Sequence, residues 1–175
     1  MFQKKLRDQA GFTLIEMLIV VIILGILAML IIPQVSVSTD DARLNTLSSN
    51  LGSMRNAIEL YYHQHNETYP GRNDNAGTAT VDAAVAATAM LEQLTQYTDI
   101  NGDVAVARDV THIYGPYLKS NTLPMNPYNN DNTVVCDTTT NDITDRTSGG
   151  TNGWRFYTLT GVLMANDGVD NHHTL

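Results

Sequence analysis

An unbroken apolar stretch, residues 12–32, dominates the pattern of hydrophobic and polar positions along the chain. It is 21 residues long and contains one ionisable side chain, Glu16. At about 1.5 Å of rise per helical residue it would extend roughly 31 Å, close to the ~30 Å thickness of the bilayer hydrocarbon. The pattern therefore predicts a transmembrane helix.

The residues on either side of this stretch indicate its orientation and argue against an ordinary secretory signal. Lys4, Lys5 and Arg7 precede it, offset only by Asp8, so the positive-inside rule keeps the first ten residues cytoplasmic. A cleaved secretory signal has a shorter apolar core of ~7–15 residues, followed by small residues at the cleavage site. Here the stretch is too long and continues into Pro33-Gln34-Val35.

A second apolar pattern, in residues 33–65, has the period of an amphipathic helix. Pro33 predicts a kink or break, and the β-branched and Ser-rich residues 35–39 leave the continuity of the helix open. We expect the C-terminal half of the resulting apolar stripe to pack on its own domain. The apolar positions, separated by three or four residues, are Leu44, Leu47, Leu51, Met54, Ile58 and Tyr61.

The remainder, residues 66–175, predicts one extracytoplasmic globular α+β region. Residues 66–80 form a loop, and Thr80 or Asp82 caps a short helix over residues 82–97. Its apolar face would contain Val85, Ala89 or Met90, and Leu94.

Beyond Tyr97 the apolar pieces are short and separated by turns, which is typical of a small antiparallel sheet. The best hairpin candidate is residues 154–164, with Thr160-Gly161 at its turn. Residues 133–153 are rich in Asn and Asp, and their order is doubtful.

Charge and cysteine content narrow the function classes. The formal net charge is −8, and removal of residues 1–11 would make it −10, which opposes a role in nucleic-acid binding. Cys136 is the single cysteine, so the chain forms no intrachain disulfide. We find no nucleophile elbow, phosphate-binding glycine loop or paired catalytic carboxylates, and the sequence therefore predicts no enzyme.

Glu16 is the unusual residue of the apolar stretch. A carboxylate at mid-bilayer costs about 2.5–3.5 kcal/mol on insertion scales, and less near an interface. Glu16 could reach the cytoplasmic headgroups, or it could meet a positive charge from another copy of the chain. A cut after Gly11 would give Phe12 a free amine at the depth of a neighbour's Glu16.

The basic leader, Gly11, the sequence Phe-Thr-Leu-Ile-Glu at residues 12–16 and the long apolar helix together resemble the N-terminal signal of type IV pilins and type II secretion pseudopilins. The resemblance implies that a prepilin peptidase removes residues 1–11 by cutting after Gly11 and methylates Phe12. It implies that Glu16 sets subunit registry during assembly. Gly25 and Pro33 match helix-softening positions of the family.

The resemblance implies a pilin-like α+β fold, in which a long N-terminal helix with a transmembrane first half packs on a small antiparallel sheet. The Tyr-Pro-Gly turn at residues 69–71 and the lack of a cysteine pair favour the major (G-type) pseudopilins of type II secretion. The chain would be a single-pass inner-membrane protein with a periplasmic domain. It would become a homopolymer that engages the peptidase, the assembly platform and other pseudopilins.

Two alternatives stay open. One is a type IV pilin of a surface pilus used in adhesion, motility or DNA uptake. The other, of a different class, is a monomeric receptor domain anchored by an uncleaved helix.

Calcium is the one cofactor to consider. Residues 99–103 and 166–171 are oxygen-rich turns, although neither completes an EF-hand loop. From the residues alone an ordinary Asx turn is the favoured interpretation of both. Because major pseudopilins hold calcium in a C-terminal loop, the resemblance makes Asp167 and Asp170 the candidate ligands. No Cys/His spacing resembles a zinc site.

Overall fold

The computed structural model describes residues 11–142, 144, 150–169 and 171–175, without the side chains of residues 30–38. The predicted leader, apart from Gly11, and the predicted ligand Asp170 lie outside the described residues. So do residue 143 and residues 145–149 of the Asn/Asp-rich segment. The chain divides into two compact units, Met1–Ala42 and Arg43–Leu175.

The first element, α1 (Leu14–Gln64), is a 51-residue helix. A break at Pro33 was one expectation from the sequence, and it is wrong, because the chain stays helical from residue 33 to residue 40. Proline lacks a backbone donor and so removes one hydrogen bond of the helix. The hydrogen bonds of the adjacent turns maintain the helical conformation. In the part of the chain that the structure describes, no helix combines the length and the apolarity needed to cross a membrane. The span expected for residues 12–32 stays a prediction.

In the second unit, the later turns of α1 present their apolar stripe to the core, as predicted. Leu44 is 39% exposed, so the buried part of the stripe begins at its next apolar position, Leu47. Full burial of such a side chain is worth about 1.5–3 kcal/mol, so this stripe supplies much of the helix's attachment to its domain. Its buried members are Leu47, Leu51, Met54, Ile58 and Tyr61.

The second helix, α2 (Ala83–Thr95), begins as predicted with an Asp82 cap, whose carboxylate accepts from the N–H groups of Ala84 and Val85. The expected apolar face is partly wrong, since Val85 is 42% exposed. Gln93 is fully buried on that face and accepts from the N–H of Gly71 at 2.8 Å. A buried glutamine hides the true face from an apolar pattern. The buried positions are Ala86, Ala89, Met90, Gln93 and Leu94.

Two small sheets complete the domain. Strands β1 (Tyr97–Thr98) and β2 (Val104–Ala105) pair antiparallel. The larger sheet has the order β3 (Val134–Asp137), β4 (Trp154–Tyr157), β5 (Leu163–Ala165).

The predicted hairpin is confirmed, because β4 and β5 are antiparallel. Strand β3, in contrast, runs parallel to β4, so the sheet is mixed rather than purely antiparallel. Parallel neighbours need a crossover connection. Residues 138–153 are long enough to supply it.

One apolar cluster joins α1, α2 and the larger sheet. Trp154 and Phe156 of β4 are fully buried in it, and the Trp154 indole donates to the Pro124 carbonyl at 2.9 Å. This bond attaches residues 114–128, the proline-containing connection before β3, to the sheet. Leu123 of that connection is itself part of the cluster.

Candidate functional site

Gly11, Phe12 and Thr13 form a short non-helical segment directly before α1. The Phe12 side chain is 80% exposed. Among the described residues, no atom lies within 4 Å of a Cβ added at Gly11, so their packing does not require glycine at this position.

Glu16 has a structural role that the sequence interpretation missed. Its carboxylate accepts from the Thr13 N–H at 2.8 Å and from the Thr13 hydroxyl at 2.7 Å, and the Thr13 hydroxyl accepts from the Glu16 N–H at 3.3 Å. This reciprocal pair is a capping box, which satisfies two of the backbone donors left free at the start of a helix. The Thr-x-x-Glu spacing could have revealed it. One carboxylate oxygen, Oε2, makes both contacts, so the carboxylate is held at the first turn of α1.

The first turns of α1 expose apolar side chains around the whole helix. Every residue from 11 to 29 is exposed, and no atom of the described part of the chain lies within 4 Å of a Cβ added at Gly25. A helix that is apolar on all sides is typical of burial in a membrane or in a bundle of other helices. The large exposed side chains are Phe12, Leu14, Ile15, Met17, Leu18, Ile19, Val20, Val21, Ile22, Ile23, Leu24, Ile26, Leu27 and Met29.

The structure describes one of the two predicted calcium ligands. The Asp167 side chain is 1% exposed and is already surrounded by N–H donors from Asn126, Val169 and His172. Within the described residues, no group of three or more His, Cys, Asp or Glu side chains could hold a metal ion. These contacts of Asp167 are N–H donors rather than the oxygen ligands that calcium takes.

The other polar candidates have local explanations. Asp99 accepts from the N–H groups of Asn101 and Asp103 at 2.8 and 2.9 Å, which is an ordinary Asx turn, as favoured from the residues alone. His112 lies between two carboxylates, 2.8 Å from Asp109 and 3.5 Å from Asp103. The hydrogen bond with Asp109 raises the pKa of His112.

Cys136 is buried, and burial raises the pKa of its thiol to about 12. A thiol with so high a pKa is a poor nucleophile, as expected from its sequence surroundings.

Comparison with known families identifies the N-terminal segment. The family described as "Prokaryotic N-terminal methylation motif" matches residues 6–32, which include Gly11, Phe12 and Glu16. This is the segment in which a non-helical glycine and phenylalanine precede a capped apolar helix.

Similar proteins extend the resemblance beyond this motif. Type II secretion system core protein G of Pseudomonas aeruginosa is 44% identical over 55 residues, which is 31% of this chain and 39% of that protein. The protein of the same name from Vibrio cholerae is 37% identical over 67 residues, or 38% of this chain and 45% of that protein. A fimbrial protein of Neisseria meningitidis serogroup B is 40% identical over 72 residues, or 41% of this chain and 42% of that protein.

These matches span less than half the length of each relative. No solved structure matches the chain significantly. The resemblance to type IV pilin-like proteins, and to major pseudopilins in particular, is confirmed.

Proposed function

Because residues 6–32 carry the N-terminal methylation motif of the type IV pilin-like family, we propose that the chain is the major pseudopilin of a type II protein secretion system. In this proposal a prepilin peptidase cuts after Gly11 and methylates the new terminus at Phe12. The mature subunit then polymerises into a filament that drives protein export across the outer membrane. The observation that supports it most directly is an all-round apolar helix that begins at Leu14 and is capped by Thr13 and Glu16.

The physical argument concerns the apolar turns of α1. Fourteen large apolar side chains between Phe12 and Met29 are exposed in the single chain, which is unfavourable in water. A helix of this kind is stable in a bilayer, or in a core made of identical helices. Transfer from the first environment to the second is filament assembly, and a heterologous contact that does not close extends indefinitely.

Glu16 would set the register between successive subunits. Its capping box with Thr13 holds the carboxylate at the N-terminal end of α1. Processing would give Phe12 an amine, and a neighbour's Glu16 would pair with that amine in an apolar surrounding, where charge pairs are strong. Thr13 would then position Glu16 for this contact.

The same proposal implies a cellular location and a set of partners. The precursor would be a single-pass inner-membrane protein with residues 1–11 cytoplasmic and the acidic α+β region periplasmic. Its partners would be further copies of itself, other pseudopilins, the peptidase and the inner-membrane assembly platform. Its role would be structural, in line with the names of the three relatives described above.

A type IV pilin of a surface pilus is the second candidate, and the similarity to a fimbrial protein favours it. A chromosomal deletion separates the two functions. Loss of secreted proteins with surface pili intact supports the pseudopilin, and loss of pili with secretion intact supports the pilin. A receptor anchored by an uncleaved helix would stay a detergent-soluble monomer.

Substitutions at Glu16 test the assembly role. Glu16→Gln keeps an acceptor oxygen for the capping box and removes the charge, whereas Glu16→Ala removes both. We expect both variants to be processed and both to form at least roughly tenfold fewer filaments, since loss of one partner of a buried charge pair costs about 2–5 kcal/mol. The measurement is the amount of sheared filament per cell.

Glu59→Gln, an exposed position of the same helix, is the matched control and should assemble normally. Normal filaments from Glu16→Gln would contradict the charge pairing and leave Glu16 as a helix cap.

A further inference from the structure

The carboxylate of Asp167 lies directly after β5, among the residues that lead to the C-terminal 3-10 helix (His172–Thr174). Its side chain is 1% exposed. A buried carboxylate is costly unless hydrogen bonds or a counter-ion compensate it. The groups that compensate the Asp167 carboxylate therefore also attach the C-terminal residues to the domain.

Within the described part of the chain, three N–H groups contact this carboxylate. The Asn126 amide donates to Oδ2 at 2.9 Å, and the Val169 backbone N–H donates to Oδ1 at 3.1 Å. The imidazole Nδ1 of His172 lies 3.2 Å from Oδ1 and 3.1 Å from Oδ2. Both oxygens are thus hydrogen-bonded.

The residues that supply these groups are themselves fixed. Asn126 is fully buried, donates to the Gly153 carbonyl at 3.0 Å and accepts from the Tyr128 N–H at 3.0 Å. The His172 ring packs on the Tyr128 ring, with centroids 4.1 Å apart. The arrangement links the connection before β3, the residue before β4 and the residues after β5.

Calcium would need a different set of atoms. It binds six to eight oxygens at about 2.3–2.6 Å. Among the described residues, the groups hydrogen-bonded to Asp167 are nitrogens, and each would have to leave before an ion could bind there. A donated N–H places positive charge against the carboxylate, as a cation would.

We propose that the C-terminal clasp, formed by Asn126, Asp167 and His172, takes the place of a calcium ion in holding the last residues on the sheet. The folded domain is then independent of calcium. The inference concerns the monomer's own contacts and holds whether or not the chain assembles into filaments.

Thermal unfolding of the full-length protein in detergent tests this. Melting temperatures are compared in EGTA, in about 10 mM calcium and in about 10 mM magnesium, well above the ~10⁻⁴–10⁻³ M dissociation constants of extracellular calcium sites. Magnesium controls for general screening of an acidic protein. We expect calcium and magnesium to agree within about 1 °C, and a calcium-specific rise of about 5 °C or more would overturn the proposal.

Two variants test the clasp directly, through the change in melting temperature that each causes. His172→Ala should lower the melting temperature by roughly 3–10 °C through loss of a hydrogen bond to a charged group, and His63→Ala, at an exposed histidine of α1, should not. An unchanged melting temperature in His172→Ala would contradict the clasp.

Asn126→Asp replaces the amide donor with a second carboxylate facing Asp167. We expect this variant to be less stable and to gain a stabilising response to calcium that the unsubstituted protein lacks. An equal or larger response in the unsubstituted protein would also overturn the proposal.

Discussion

His65 lies one residue beyond the end of α1, and its imidazole is buried. The ring stacks on Tyr61 with centroids 3.7 Å apart. Nδ1 is 2.8 Å from the Tyr61 carbonyl, which can only accept, so Nδ1 carries the proton. In the neutral ring, Nε2 then accepts from the Thr98 hydroxyl at 2.9 Å. This fully bonded ring joins the end of α1 to β1.

We predict that His65 makes the domain less stable as the pH falls. Burial lowers the pKa of His65 in the folded protein, whereas an unfolded histidine has a pKa of about 6.5. Between these two values the unfolded chain binds more protons, so the stability present above about pH 6.5 is lost progressively below it. Melting temperatures from pH 7.5 to 5.5 measure the effect.

His65→Gln should reduce this pH dependence, and His63→Ala should leave it unchanged. Titration of the His65 ring by NMR with a midpoint at or above that of an unfolded histidine would contradict the prediction.

Residue-scale roles were the hardest to predict from sequence. The charge of Glu16 in an apolar stretch predicts contact with the headgroups or with a partner from another copy of the chain. In the structure its carboxylate accepts a hydrogen bond from Thr13 of the same chain. Asp167 is a candidate calcium ligand through the family resemblance, whereas the residues alone favour an ordinary Asx turn. The amide of Asn126 and the ring of His172, which actually meet it, come from positions 41 residues before it and 5 after it. Contacts of this kind depend on the tertiary fold, which no local pattern contains.

At the scale of elements, the later turns of α1 followed their sequence pattern closely, because an apolar stripe at helical spacing must be buried against something. We predict that Leu51→Ala, at a buried position of this stripe, lowers the free energy of unfolding by about 2–5 kcal/mol through lost burial and a cavity. Leu60→Ala, at a position of the same helix that is 51% exposed, should cost less than about 1 kcal/mol.

Urea unfolding of the two variants in detergent, followed by circular dichroism, makes the comparison. Equal losses in the two variants would mean that the stripe does not form the core described here.

The elements that differed from their sequence predictions did so for long-range reasons. Helix α1 continues through Pro33 because the local cost of an interior proline, about 3 kcal/mol, is small beside the remaining hydrogen bonds of a 51-residue helix. Strand β3 pairs parallel to β4, and β1 was not predicted, because two to four residues carry little periodicity. The β4–β5 hairpin was predictable since its turn and both its strands are adjacent in sequence.

At the scale of the whole molecule, the two units differ in the polarity of their surfaces. The described first turns of α1 expose apolar side chains on every side, whereas Arg43–Leu175 encloses a core of its own. Removal of residues 1–11 would leave a net charge of −10 on the rest of the chain. Such a chain suits two environments at once, an apolar one for the helix and an aqueous one for the acidic domain.

The central claim is that this chain is processed between Gly11 and Phe12, and intact mass spectrometry of the membrane-extracted protein tests it most directly. We predict a mass that lacks residues 1–11 and carries one added methyl group. Gly11→Val should remain full-length, although among the described residues no atom lies within 4 Å of the added Cβ. A full-length, unmethylated chain in the unsubstituted protein would contradict the account and favour an anchored receptor.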